Sequence, residues 1–234
     1  MYCKFYTNAI PLPVISRKAA AKRRAPTPPA GNLDRDAWLA AATDAIAEGG
    51  FGAARILTLA QRLGVTRGSF YWHFRNHGDF VAQLLERWRD EQLRALASWR
   101  PDGGDAEADL RRAVRLLLAD MARDGRSLRV ELAVQDFARR NPLAATVTVD
   151  VNRARTAQGL ALFEALTHDR ERARALTLLL YACITGARLM LAATARSEKI
   201  DAIAARLDRV IGDAIITPVA AARRAPRSPR AVAR

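Results

Sequence analysis

Apolar residues recur every three or four positions through most of the chain, and strand-like alternation is absent between residues 34 and 216. Trp38, Ala41, Ala42, Ala45 and Ile46, for example, share one face of a helix. Glycine and proline interrupt the pattern and predict where helices end. We therefore predict an all-α fold of about nine helices, over 34–48, 56–63, 67–73, 79–99, 106–123, 128–139, 143–166, 170–195 and 198–215.

The segment LTLAQRLGVTRGSFYWHF, residues 57–74, predicts two short helices joined by a tight turn. Apolar residues on one face of the first helix lead into Gly64, which can adopt the left-handed conformation that such a turn needs. Thr66 is a suitable N-cap for the second helix. The pattern is typical of a helix-turn-helix, whose second helix enters the major groove of DNA.

The second of these helices carries hydroxyl, guanidinium and ring donors suited to DNA, and Gly68 lets the backbone approach a phosphate. Four arginines and no acidic residue lie between residues 49 and 78. Arg62 and Arg75 could equally be solvated charges and Trp72 could equally be core, whereas Phe70 and Phe74 should face inward. The predicted DNA-contacting residues are Arg55, Arg62, Thr66, Arg67, Gly68, Ser69, Tyr71, Trp72, His73 and His77.

This part of the chain resembles the TetR family of transcriptional regulators. The family pattern is an alanine in the second helix, then Gly-Val-Ser/Thr-x-Gly-x-hydrophobic-Tyr-x-His-Phe. It is met by Ala60, Gly64, Val65, Thr66, Gly68, Phe70, Tyr71, His73 and Phe74. The resemblance is close over 34–88 and only architectural over 105–216. It implies a homodimeric repressor that binds a palindromic DNA operator through Thr66, Arg67, Ser69, Tyr71 and His73, and that a small effector releases.

Two positions depart from the family pattern. The Ser/Thr that often caps the second helix is replaced by Ala54 or Arg55, so we expect Arg55 to take over a phosphate contact. The lysine that often begins the long helix is replaced by His77, which can donate to a phosphate but brings less charge.

Residues 174–195 are apolar almost all round, which requires burial on every side. With the last helix, this predicts a two-fold dimer interface, the alternative being an ordinary buried helix in a monomer. The predicted interface residues are Ala182, Gly186, Met190, Ala193, Ile203, Leu207 and Ile211. The resemblance also implies an effector pocket in the C-terminal bundle. Its candidates, which suit an apolar or aromatic effector, are Trp99, Met121, Phe137, Phe163, Tyr181 and Met190.

Charge is concentrated at the two ends of the chain. Residues 1–33 carry six basic residues, 217–234 carry five, and neither segment has an acidic residue, while the whole chain has a net charge of +14. We predict basic disordered tails over 1–33 and 217–234, a helix-turn-helix domain over 34–80, and a helical ligand-binding and dimerisation domain over 81–216. The tails either contact DNA phosphates or have no function.

Other function classes have little support in the sequence. Two cysteines, Cys3 and Cys183, cannot form a disulfide framework or a four-cysteine zinc site. No nucleotide-binding or catalytic motif is present, so we assign no catalytic residue, metal or cofactor, and an enzyme acting through His168, Asp169 or Glu171 is the weakest alternative.

The remaining alternatives concern membranes and polyanions. The longest uncharged run in the most apolar helix, 175–187, is too short to span a bilayer, so we predict a cytoplasmic protein. A non-specific polyanion binder that acts through its two tails is the main rival to a sequence-specific regulator.

Overall fold

Ten α-helices follow one another in this computed structural model, which describes residues 34–101, 105–123, 125–194 and 200–224. No strand occurs in these ranges, so the predicted all-α fold is confirmed. A 3-10 turn, Phe51–Ala53, precedes the second helix. The helices are α1 Arg35–Gly49, α2 Ile56–Arg62, α3 Arg67–His73, α4 His77–Ser98, α5 Ala106–Arg123, α6 Gly125–Ala138, α7 Pro142–Thr167, α8 Arg170–Thr194, α9 Ile200–Ile211 and α10 Thr217–Arg224.

Polar caps fix the start of three of these helices. Asp34, Asn76 and Asn141 precede α1, α4 and α7, and each side-chain oxygen accepts a hydrogen bond of 2.8–2.9 Å from the backbone N–H three residues on. Such a cap satisfies a donor that has no partner within its own helix. α1 ends at Gly50, whose φ of +69° suits glycine, as the paired glycines predicted.

The helical part extends beyond the predicted start of the C-terminal tail. A π-helical turn, Gly212–Ile216, joins α9 to α10, so that these two helices form one continuous segment. Val219 is buried within α10, and Arg111 donates a 2.5 Å hydrogen bond to the Thr217 hydroxyl. The predicted disorder is therefore wrong over 217–224, because these contacts hold the segment. The predicted tails over 1–33 and 225–234 lie outside the described residues.

Two groups of buried side chains form the core. The first unites α1–α4 with parts of α6 and α7, and its largest fully buried members are Trp38, Phe70, Phe74 and Phe80. The second lies among α5–α10 around Leu110, Leu118, Phe163 and Leu166. Because the first group includes residues from both predicted domains, the described residues form one compact unit, and the boundary between residues 80 and 81 stays a prediction.

α4 and α6 connect the N-terminal helices to the C-terminal bundle. α4 begins beside the first core and ends at the bundle. α6 is tied to α1 by two hydrogen bonds, from Arg126 to the Asp44 carboxylate at 2.6 Å and from Arg129 to the Ala47 carbonyl at 2.9 Å.

α8 leaves an apolar face uncovered, where Leu178 and Met190 are 70% and 63% exposed and Leu179 and Leu189 are also exposed. Of the described helices, only this one, over Arg170–Met190, is long and apolar enough to cross a membrane. Within its most apolar stretch, 28% is buried. A single such helix is weak support for a membrane span, because core helices share these properties. An exposed apolar face of this length is typical of a contact surface.

Candidate DNA-binding surface and ligand cavity

Two backbone hydrogen bonds close the turn between α2 and α3. The Val65 N–H donates to the Ala60 carbonyl at 3.0 Å, and the Gly64 N–H donates to the Gln61 carbonyl at 3.2 Å. This Schellman pattern requires a left-handed residue at Gly64, whose φ is +67°. Val65 packs against the first core, so an apolar contact also fixes the turn. The turn that the sequence predicted at Gly64 is therefore present between α2 and α3.

A cluster of buried aromatic rings holds α3 in place. The Phe70 ring lies 5.4 Å from that of Trp38, 4.9 Å from that of Phe74 and 5.3 Å from that of Phe80, between ring centroids. All four side chains are fully buried. Large buried rings in edge-on contact stabilise a fold strongly. The predicted inward orientation of Phe70 and Phe74 is confirmed.

The opposite face of α3 is exposed. Tyr71 and Trp72 keep 51% and 43% of their surface in solvent, which places Trp72 on the surface rather than in the core. The Arg67 guanidinium lies 3.4 Å from the Tyr71 hydroxyl one helical turn away. Ser69 is half-buried beside them. The face therefore presents donors and aromatic edges together.

Packing does not explain the residue types of Thr66 and Gly68 at the start of α3. Thr66 occupies the N-cap and is exposed, yet its side chain makes no capping hydrogen bond. A Cβ on Gly68 would meet only the Thr66 Oγ1, at 3.7 Å. Packing within the described part of the chain therefore does not require glycine at this position.

The predicted DNA-contacting residues outside α3 are not all free to reach DNA, since one of them is held in an ion pair. Arg55 and His77 are exposed at the starts of α2 and α4, although Arg55 also donates to the Gly52 carbonyl at 3.1 Å. Arg62 donates two hydrogen bonds, of 3.2 and 2.6 Å, to the Glu48 carboxylate and thereby lowers the pKa of Glu48. Arg62 therefore ties α2 to α1, and this geometry does not support its predicted DNA contact.

Arg35 is a positioning residue that the sequence did not reveal. Its guanidinium donates to the His73 carbonyl at 3.1 Å and lies 5.8 Å from the centre of the Phe74 ring. It thus satisfies a carbonyl at the end of α3 and fixes that end to α1. Arg35 and His73 are 38 residues apart, so no local pattern could indicate the contact. His73 itself is half-buried.

A cavity of about 550 Å³ lies between the end of α4 and the helices α5, α7 and α8. Much of its wall is apolar, including Leu96, Trp99, Leu162 and Ile184. It reaches the surface near Leu116, which is half exposed. Its volume lies within the range of small-molecule sites.

The charged side chains of the cavity wall are all arginines, beside uncharged polar residues such as Gln92, Gln158 and Tyr181, and within the described ranges no aspartate or glutamate lines it. Arg155 donates to the two oxygens of Glu131, at 2.5 and 3.1 Å, and to the Gln92 side chain at 2.8 Å. Arg188 donates to the same Glu131 carboxylate. Burial opposes ionisation of Glu131, but the two arginines hold its pKa below the ordinary value. The arginines of the wall are Arg100, Arg112, Arg155 and Arg188.

Trp99 and Tyr181 are the predicted pocket residues that line this cavity. The Tyr181 hydroxyl donates to the Asn152 side chain at 2.7 Å, and burial raises the pKa of Tyr181. The arginines of the wall were not predicted from the sequence. Arg188 could have been noticed, because it is a single charge that directly follows the thirteen uncharged residues of 175–187.

The other predicted pocket residues do not line it. Phe137 stacks on Phe51 in the first core, with centroids 4.1 Å apart, and Phe163 is fully buried in the second. Met190 lies on the exposed face of α8. These three side chains lie away from this cavity, because residue type does not show which way a helix faces, and their contact with an effector stays a prediction. The side chain of Met121 lies outside the described part.

The predicted dimer residues of α8 lie on its uncovered face. Ala182 and Met190 are exposed, and a Cβ on Gly186 would meet no atom within 4 Å. Ile211 of α9 is only 2% exposed and belongs to the second core, so its burial within the chain does not support its predicted role in the interface. Leu207 is half-buried. The side chains of Ala193 and Ile203 are not among those described.

Comparison with known proteins identifies the N-terminal segment. Residues 39–84 match the family of bacterial regulatory proteins called the tetR family. No curated protein matches the chain.

Solved structures share the fold of the chain over most of its length. A transcriptional regulator from Rhodococcus sp. Rha1 is 23% identical, covers 77% of this chain and 95% of its own, and superposes with a TM-score of 0.65. A TetR-family regulator from Agrobacterium tumefaciens is 19% identical, with 78% and 97% covered and a TM-score of 0.63. A putative regulator from Saccharomonospora viridis, in complex with choline, is 22% identical, with 76% and 95% covered and a TM-score of 0.61.

These three proteins that share the fold are described as transcriptional regulators. The helix-turn-helix lies within the segment that matches the family. The described part of the chain is thus all-helical and carries, over residues 39–84, a segment that matches the tetR family of bacterial regulatory proteins.

Proposed function

We propose that the chain recognises a specific DNA sequence by placing the exposed face of α3 in the major groove. The observation that carries this proposal is the contrast between the fully buried rings on one side of α3 and the exposed Arg67, Tyr71 and Trp72 on the other. Arg67 is suited to a guanine edge. Thr66, Ser69, Tyr71 and His73, with Arg55 and His77 nearby, are suited to phosphates and base edges, and Gly68 to close approach of the backbone.

The functional unit in this proposal is a homodimer. The uncovered apolar face of α8, with Leu178, Ala182, Gly186 and Met190, supports a two-fold contact between copies of the chain. Two α3 helices would then enter successive major grooves of a near-palindromic site, about 34–36 Å apart. Such a protein would act in the cytoplasm, where it meets DNA.

We propose, further, that a small ligand in the cavity releases the protein from DNA, which makes it a repressor. The route is supported by α4, which contributes Phe80 to the core beneath α3 and Gln92 and Leu96 to the cavity wall. A ligand can shift DNA affinity only if it binds the released arrangement better than the DNA-bound one. The choline complex of the Saccharomonospora viridis regulator supports a small-molecule ligand.

Selection of bound fragments from sheared genomic DNA of the source organism tests the DNA-binding part of the proposal. The wild type should enrich fragments that share a two-fold-symmetric motif. Arg67→Ala should weaken binding to that motif by about 1–3 kcal/mol and relax its specificity. Arg153→Ala, at a 76% exposed position on α7, is the matched control and should leave selection unchanged. Equal enrichment by wild type and Arg67→Ala would refute base reading by Arg67.

A further inference from the structure

Although Arg112 pairs with Asp109 at 3.1 Å, the charged residues that line the cavity are all arginines. Its wall holds four arginines, and no carboxylate lines it within the described ranges. The side chains of Arg155 and Arg188 are only 11% and 13% exposed, and both bind Glu131, which lies outside the wall. Arg155 and Arg188 share the Glu131 carboxylate and both line the cavity, so their positive charge lies beside the empty volume. Guanidinium groups in such a wall offer charge-assisted hydrogen bonds to an anionic group.

The remainder of the wall is mainly apolar, with uncharged polar side chains such as Gln92, Gln158 and Tyr181 among it. Leu96, Leu162 and Ile184 supply aliphatic surface, and Trp99 supplies an aromatic one. The Trp99 Nε1 is buried and finds no acceptor in the part of the chain that the structure describes. A buried donor of this kind is satisfied by a ligand that carries an acceptor.

We propose that the cavity binds an organic anion with an apolar body, whose anionic group lies toward Arg155 and Arg188 and whose body lies against the apolar wall. This inference rests on the proposed ligand-responsive function and adds the chemical class of the ligand. It replaces the purely apolar or aromatic effector expected from residue types, since that expectation overlooked the arginines.

Removing the negative charge of Glu131 should strengthen anion binding, whereas removing an arginine of the wall should weaken it. The carboxylate competes with any bound anion for Arg155 and Arg188, since it already accepts hydrogen bonds from both. Glu131→Gln keeps an acceptor of the same shape but removes the negative charge. Anion affinity should therefore rise in this variant by about tenfold, the effect of a unit charge a few ångströms away in a partly polar site.

The test measures binding of matched probes to the full-length protein. One pair is aliphatic, decanoate and decan-1-ol, with decyltrimethylammonium as the cationic counterpart. The other is aromatic and fluorescent, 1-anilinonaphthalene-8-sulfonate and the neutral N-phenyl-1-naphthylamine. The aromatic probes are titrated by fluorescence, and the aliphatic ones by calorimetry below their micelle concentrations.

Decanoate and the sulfonate should bind more tightly than their neutral and cationic counterparts. Arg155→Gln should weaken anion binding by about ten- to a hundredfold, the effect of losing a charged hydrogen bond, with little change for the neutral probes. Arg153→Gln, two residues away on the exposed side of α7, is the matched control and should bind like the wild type. Thermal unfolding of each variant checks that it is folded.

Three results would overturn the proposal: equal affinity for anionic and neutral probes, equal loss in Arg155→Gln and Arg153→Gln, or no anion binding up to millimolar concentration. If Arg155→Gln fails to fold, an anion affinity that does not rise in Glu131→Gln overturns it instead. Adding decanoate to the DNA complex then separates the two claims. Anion binding in the cavity without DNA release would refute the ligand-responsive function and leave the ligand class in place.

Discussion

Gly68 lies at the second position of α3, where neither packing nor a positive φ requires glycine. Glycine costs about 1 kcal/mol relative to alanine in a helix interior. A residue that weakens its own helix without a structural reason is expected where a ligand approaches the backbone. The exposed N-terminal end of α3 is the place where DNA is proposed to do so.

Gly68→Ala should therefore separate folding from DNA binding. We expect unchanged or slightly raised thermal stability, because the Cβ has room, together with weaker binding to the selected DNA motif, because the methyl group would meet a phosphate. Gly52→Ala, at a site where a Cβ meets no atom within 4 Å, is the control and should bind normally. Undiminished DNA affinity in Gly68→Ala would show that the backbone there does not approach DNA.

Glu131 links the acid stability of the protein to the arginines of the cavity. Its folded-state pKa is held below the ordinary value by Arg155 and Arg188, against the opposing effect of burial. The stability from this pairing is therefore present above the ordinary glutamate pKa of about 4.3 and is lost as pH falls through the lower folded-state value.

We expect the wild-type free energy of unfolding to fall steeply below about pH 4. Glu131→Gln should show a shallower fall, since its amide does not titrate. Urea denaturation at several pH values between 3 and 6 measures both, with Glu86→Gln, at an exposed position, as the control. Equal slopes for the wild type and Glu131→Gln would mean that Glu131 does not contribute to acid sensitivity.

At the scale of elements, α2 and α3 show what the sequence can predict. α3 begins and ends at the predicted residues, because local signals determine it: a cap position at Thr66, a left-handed glycine before it and two inward phenylalanines. The wall of the cavity was largely missed because contacts between distant helices determine it. Phe137 and Phe163 have the residue type of a pocket, yet each is packed in a core.

Gly64→Val should disrupt the α2–α3 turn. A β-branched residue is strained at a φ of +67°, at a cost of about 1–3 kcal/mol, and the two hydrogen bonds of the turn depend on that conformation. We expect a lower melting temperature and loss of specific DNA binding. Gly52→Val, at an equally open position without positive φ, should have a much smaller effect. Full DNA affinity in Gly64→Val would contradict the placement of the helix-turn-helix.

Gly186→Glu tests the proposed contact through α8. The new side chain fits the isolated chain, because a Cβ there meets no atom within 4 Å, but a charge would lie in the interface between two copies. We expect monomers by light scattering with nearly unchanged helix content. Val149→Glu, at an exposed apolar position on α7, should remain dimeric. A dimeric Gly186→Glu would remove this face of α8 from the interface.

At the scale of the whole molecule, the helix-turn-helix and the cavity are parts of one compact unit. α4 contributes residues to both. On α6, Arg126 and Arg129 contact α1, and Glu131 contacts the cavity arginines. Glu131 lies on the same helix as Arg126 and Arg129. A rearrangement around Glu131 therefore also affects the contacts that hold α1 behind α3. This connectivity gives a ligand a physical means of biasing the DNA-binding arrangement.

The most direct test of the central claim is the ratio of dissociation constants for the selected DNA site and a scrambled duplex, measured with the full-length protein over a range of salt concentrations. Recognition through α3 predicts a preference of about a thousandfold or more that persists as salt weakens both complexes. A ratio near one, with both affinities falling together as salt rises, would contradict recognition by α3 and indicate a polyanion binder that acts through its basic ends.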